Sequence, residues 1–113
     1  MAFTFSLPTY DEYGVFTLKA VTDTSSAAGS FNLGFQPRRI EVFDQTSPIK
    51  WDWNNQMPAG YAFKIAANGT ITYPTSNGIT VVGQSDSPSA QPLVTLGTAL
   101  HVNSTTYTIV CYR

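Results

Sequence analysis

The residues able to do covalent or metal chemistry are few and scattered. His101 is the single histidine and Cys111 the single cysteine. A Ser-His-Asp or Cys-His arrangement would have to use His101, which has no acid near it in sequence. Cys111 sits in an alternating apolar stretch and reads as a buried, inert thiol, because a reactive one needs an open, electropositive setting. One Cys and one His cannot supply the three or four ligands of a zinc site. A calcium loop needs closely spaced acids, whereas Asp11-Glu12 and Asp52 stand apart. A glycosidase needs two carboxylates across a cleft, and nothing marks any pair among the seven acids. Gly29 and Gly34 lack the Lys-Ser/Thr ending of a phosphate loop. The expectation is a chain without catalytic residues, metal or cofactor.

What remains is chemistry of contact. Trp51 and Trp53 are two apart, so on a strand both indoles leave the same face. They could form a stacking platform or an interface anchor, or fill the core. Met57, in the Met57-Pro58-Ala59-Gly60 stretch, could lie on an adhesive surface or in a plain turn. Arg38-Arg39 could pair with acids on a partner, or with Glu41 or Asp44 of the same chain. Phe3, Phe5 and Leu7 share one side of an extended N-terminal segment that could add a strand to a neighbour's sheet or pair within its own domain. These eight residues, Phe3, Phe5, Leu7, Arg38, Arg39, Trp51, Trp53 and Met57, are the candidate protein interface.

The elements that must position them read as strands. No window carries a helical period; apolar clusters alternate between Gly, Pro, Asn, Asp and Ser punctuation. Alternation predicts strands over 15–22, 30–35, 39–44 and 49–53, then from Tyr61 through Ile65. Asn68-Gly69 predicts a two-residue type I′ turn and a hairpin over 64–73, and Asn77-Gly78 predicts a second such turn. Residues 83–92 read as the longest loop, exposed and mobile. A short apolar run over 93–96, a turn over 97–100 and a last strand over 105–112 follow, with Tyr107, Ile109 and Cys111 on one face. Eight or nine short strands at regular spacing predict an all-β fold, a compact antiparallel sandwich or barrel. Residues 1–14 form an extended N-terminal arm or edge strand, because Pro8 argues against a central strand. Residues 15–113 form the single β-domain.

Composition narrows the partners. Of 113 residues only 12% are charged, and the polar surface rests on fifteen Thr and ten Ser. Such a surface is desolvated at modest cost, which favours packing against protein. The net charge is −1, and Arg38-Arg39 is the one adjacent basic pair, so nucleic-acid binding is not expected. No stretch reaches the ~20 apolar residues of a membrane span. Residues 1–10 lack a basic region followed by a long apolar run, so a chain made in a reducing cytoplasm is expected.

One ordered series of blocks carries a resemblance. It runs Gly34-Phe35-Gln36-Pro37-Arg38-Arg39-Ile40-Glu41-Val42-Phe43-Asp44, then Ile49-Lys50-Trp51-Asp52-Trp53, Met57, Gly60-Tyr61-Ala62-Phe63-Lys64, Asn68-Gly69-Thr70 and Gly78-Ile79-Thr80-Val81. This resembles the small virion structural proteins encoded among the head and tail genes of tailed bacteriophages, over a little under half of the chain. The resemblance implies a non-enzymatic component of the virion, made in the host cytoplasm. It points first to a capsid decoration, or cement, protein bound to the outside of the phage head. Its implied partners are the major capsid protein, or another virion protein, and itself as a homotrimer. A tail, neck or baseplate protein is the alternative. A small carbohydrate-binding module stacking sugars on Trp51, Trp53 and Tyr61 is a third reading.

Overall fold

A computed structural model of the chain describes residues 3–6, 9–10, 14–24, 27–82 and 92–113. It is all-β apart from one turn of 3₁₀ helix, with every strand pair antiparallel. The strands are β1 (Phe3–Phe5), β2 (Thr9–Tyr10), β3 (Val15–Thr22), β4 (Gly29–Asn32), β5 (Arg39–Asp44), β6 (Ile49–Asn54), β7 (Phe63–Ile65), β8 (Ile71–Thr72), β9 (Ile79–Val82), β10 (Leu93–Leu96) and β11 (Thr106–Tyr112). The larger sheet runs β1-β3-β11-β5-β6-β7-β8, with β2 also on β3. The smaller sheet runs β4-β10-β9.

The two sheets close on one core. From the larger sheet come Phe16, Leu18, Ile40, Val42, Trp51, Trp53, Tyr107, Ile109 and Cys111. From the smaller come Phe31, Ile79, Val94 and Leu96. Phe31 stacks on Phe16 across the gap at 6.1 Å. The pattern is the one that alternation demands of a sheet with one covered face. In β11 the inward Tyr107, Ile109 and Cys111 are buried, and the residues between them are half-buried. Tyr107 carries a polar tip into this core and satisfies it. Its hydroxyl donates to the Leu100 carbonyl at 2.6 Å and accepts the Val102 N–H at 2.7 Å. Burial pushes the phenol up to about 12, against the opposing pull of the Val102 bond.

The described residues form eleven strands, where alternation alone shows eight or nine, and some pairings are as short as two residues, in β2 and β8. The N-terminal segment is an edge strand of its own domain. Phe3, Thr4 and Phe5 pair with Thr22, Val21 and Ala20. Thr9 and Tyr10 pair with Thr17 and Phe16. Next to the β1 pairing, the Ser6 hydroxyl takes up the Lys19 N–H at 2.9 Å.

The turn chemistry differs from the type I′ expectation. At residues 66–70, Gly69 alone has positive φ, at 85°. Gly69 N–H donates to the Ala66 carbonyl and Ala66 N–H to the Thr70 carbonyl, both at 2.9 Å. That is a three-residue loop closed by a left-handed glycine. At the second site Asn77, not Gly78, is left-handed, with φ 59°. Gly78 is there for closeness, since a Cβ would stand 2.7 Å from the Gly60 oxygen. Gly97 is tighter still, with a virtual Cβ 2.2 Å from the Asn77 oxygen. Hydrogen bonds from Gly78 N to Gly60 O and from Gly97 N to Gly78 O tie these three backbones together.

Two outcomes follow. Gly97→Ala is expected to cost about 2 kcal/mol or more, because backbone rather than a flexible side chain must yield. Tyr107→Phe is expected to cost about 1–3 kcal/mol by stranding two backbone partners. Urea unfolding followed by tryptophan fluorescence measures both.

Candidate functional site

The solvent side of the larger sheet is where the chain offers most to a partner. Register fixes what lies there. Glu41 pairs with Asp52 and Phe43 with Lys50. Asp52 pairs with Phe63, Lys50 with Ile65, and Ile65 with Ile71. Because Trp51 and Trp53 point inward, their strand neighbours Lys50 and Asp52 point outward.

Two zones result. On β5 and β6 sits a charge tetrad. Arg39 clamps Asp52 with two bonds, Nε to Oδ1 at 3.1 Å and Nη2 to Oδ2 at 2.8 Å. Lys50 Nζ lies 2.8 Å from Glu41 Oε2. Arg39 also reaches Glu41 at 3.4 Å and covers the Tyr112 ring at 5.7 Å. Glu41 is the enclosed member, 7% exposed, beneath Lys50, Arg39 and the Tyr112 hydroxyl, which donates to it. Burial opposes its ionisation, but hydrogen bonds from Lys50 and Tyr112 and attraction to Lys50 and Arg39 hold the carboxyl below its usual range. Two cations and two anions cancel, so the zone presents no net charge.

The second zone, on β7, β8 and the segments beside them, is apolar. Tyr73 meets Tyr61 edge-on at 5.8 Å and Phe63 at 6.1 Å. Ile65 lies opposite Ile71. Ile71 is 59% and Tyr73 49% exposed, large values for side chains of this kind. Tyr61, Phe63 and Ile65 are half-buried around these two, so an apolar cluster with two exposed members lies beside a neutral polar zone. A smaller apolar pair, Val82 and Leu93, faces solvent on the other sheet.

The residues singled out in sequence divide sharply. Trp51, Trp53 and Phe3 are core residues with almost no exposed surface, which corrects their place in the candidate interface. All three lie on inward faces, Phe3 against Tyr107 and His101. A sugar platform on Trp51 and Trp53 is lost for the same reason. Lys64 Nζ lies over the Trp51 ring at 5.8 Å. Phe5 and Met57 are partly buried against the core. Arg39 is committed within the chain, and Arg38 is exposed. Leu7 lies outside the described residues. The patch of Phe63, Ile65, Ile71 and Tyr73 was not in the interface set. Its alternation was visible, but alternation does not say which face another sheet will cover.

Cys111 is wholly buried, and burial pushes its thiol up to about 12. Among the described residues no group of three or more His, Cys, Asp or Glu is placed to hold a metal. Comparisons with protein-family models, with curated proteins and with solved structures find no match.

Two measurements check this geometry. Glu41 has a lowered folded pKa, so its stabilising effect is complete above about 4.5 and fades as pH falls through the folded value. Glu41→Gln is therefore expected to destabilise by about 1 kcal/mol at neutral pH, the partners being partly screened, and to flatten the acid limb of the stability profile. The Cys111 thiol is expected to react with an aromatic disulfide reagent only on unfolding.

Proposed function

We propose that this chain is a non-enzymatic virion structural protein, a capsid decoration protein that binds the outer surface of a phage head as a homotrimer. The observation that carries the reading is the apolar cluster on the outer face of a sparsely charged β-sandwich, with Ile71 and Tyr73 exposed and Tyr61, Phe63 and Ile65 half-buried around them. An adhesive protein of this kind needs no cleft. It needs a fixed surface that loses water cheaply, repeated many times. Multivalent attachment then makes modest single contacts hold. The ordered blocks from Gly34 to Val81 that resemble phage head and tail proteins supply the particle, and the surface chemistry supplies the mode of attachment.

The particle test is the copy number of the chain in purified virions, by quantitative mass spectrometry against the major shell protein. Hundreds of copies in a simple ratio to the shell subunit are expected. A few copies to a few dozen would move the chain to the tail, neck or baseplate, and absence would end the virion reading. The surface test is Ile71→Asp. It is expected to lower occupancy on the particle about tenfold or more, with stability changed by less than about 0.5 kcal/mol because Ile71 is already exposed.

A further inference from the structure

The chain contains two Asn-Gly pairs, and the fold puts them in opposite chemical circumstances. Asn68 and Gly69 are both exposed, at the tip of the β7–β8 hairpin. A Cβ built on Gly69 meets nothing within 4 Å. Asn68 Oδ1 accepts the Thr70 N–H at 3.0 Å, which holds the carboxamide on the C-terminal side of its own residue. That bond also polarises the carboxamide carbonyl, as a donor does in an oxyanion site. One restraint holds the Gly69 nitrogen, its N–H bond to the Ala66 oxygen at 2.9 Å. It belongs to a hairpin whose outer strand is two residues long, at the sheet edge, where local opening is cheapest.

Asn77-Gly78 is locked. Gly78 is buried, and its N–H is bonded to the Gly60 oxygen at 2.9 Å. The Asn77 carbonyl accepts the Ala99 N–H at 2.9 Å and is pressed against Gly97. The Gly78 nitrogen cannot turn toward the Asn77 side chain without opening three backbone segments together.

We infer that Asn68 is a self-modification site that deamidates in the folded chain while Asn77 is protected. The Gly69 amide nitrogen gives its proton to solvent base and attacks Asn68 Cγ. The new C–N bond closes an imide, the carboxamide nitrogen leaves as ammonia, and water opens the imide at either carbonyl. Nothing is oxidised or reduced. The products are aspartyl and isoaspartyl residues at position 68. Either places a negative charge at the tip of the hairpin that carries Ile71 and Tyr73. The isoaspartyl form also lengthens the backbone inside a loop that fits only three residues.

The test is peptide mass mapping of the full chain, aged in its folded state at mildly alkaline pH. The peptide bearing Asn68 is expected to gain one mass unit at least about tenfold faster than that bearing Asn77, partly as isoaspartate. In urea the two rates are expected to converge, and Gly69→Ala is expected to slow the reaction at residue 68 by hindering the attacking nitrogen. Equal rates at the two sites in the folded chain, or faster change at Asn77, would overturn the inference.

Discussion

The structure depends on one central strand having a completely buried face. β11 lies between β3 and β5 and is paired along nearly its whole length on both sides. Tyr107, Ile109 and Cys111 all point from it into the core and are fully covered. Burying the phenol of Tyr107 would be costly if its hydroxyl were unpaired. The Leu100 carbonyl and Val102 N–H meet that requirement, and in doing so they fix the 3₁₀ turn Thr98–Leu100 under the sandwich. That turn sets Gly97 against Asn77, and Asn77 sets Gly78 against Gly60. A single satisfied hydroxyl thus couples the centre of the larger sheet to the loops at its far end.

Because the inward face takes most of the large apolar residues, the outward face is left with what alternation leaves over. On β5 and β6 that is Arg39, Glu41, Lys50 and Asp52, which neutralise one another. On β7 and β8 the outward positions are again apolar. Lys64 and Thr72 take the other face of the same hairpin, and Thr72 is itself exposed, so the core does not extend beneath β8. An apolar outward face on a sparsely charged chain is not explained by folding. The proposed attachment to a particle shell would give it a covering surface.

Much of this was legible in the residues. The strands over 15–22, 39–44 and, but for its last residue, 49–54, and the inward set of Tyr107, Ile109 and Cys111, follow from a period of two and strong β-formers. The chemistry of Asn-Gly marked both turns but misjudged their geometry. At 68–69 three residues, not two, span the gap, and at 77–78 tertiary packing rather than hairpin twist dictates the glycine. The candidate interface was the least legible part. Trp51 and Trp53 invite a binding role because indoles anchor interfaces, yet the same indoles are the best fillers of a core. Only the placement of the second sheet decides between these roles, and it covers β6 while leaving β7 and β8 open. No local spacing encodes that placement.

The central claim is that this open hairpin end is the face that meets the particle. Hydrogen exchange compared between the free chain and the chain bound on purified particles tests it most directly. The account predicts slowed exchange concentrated in residues 61–73, with β3 and β11 already slow in both states. Protection confined to the Val82 and Leu93 face of the smaller sheet, with 61–73 unchanged, would contradict it.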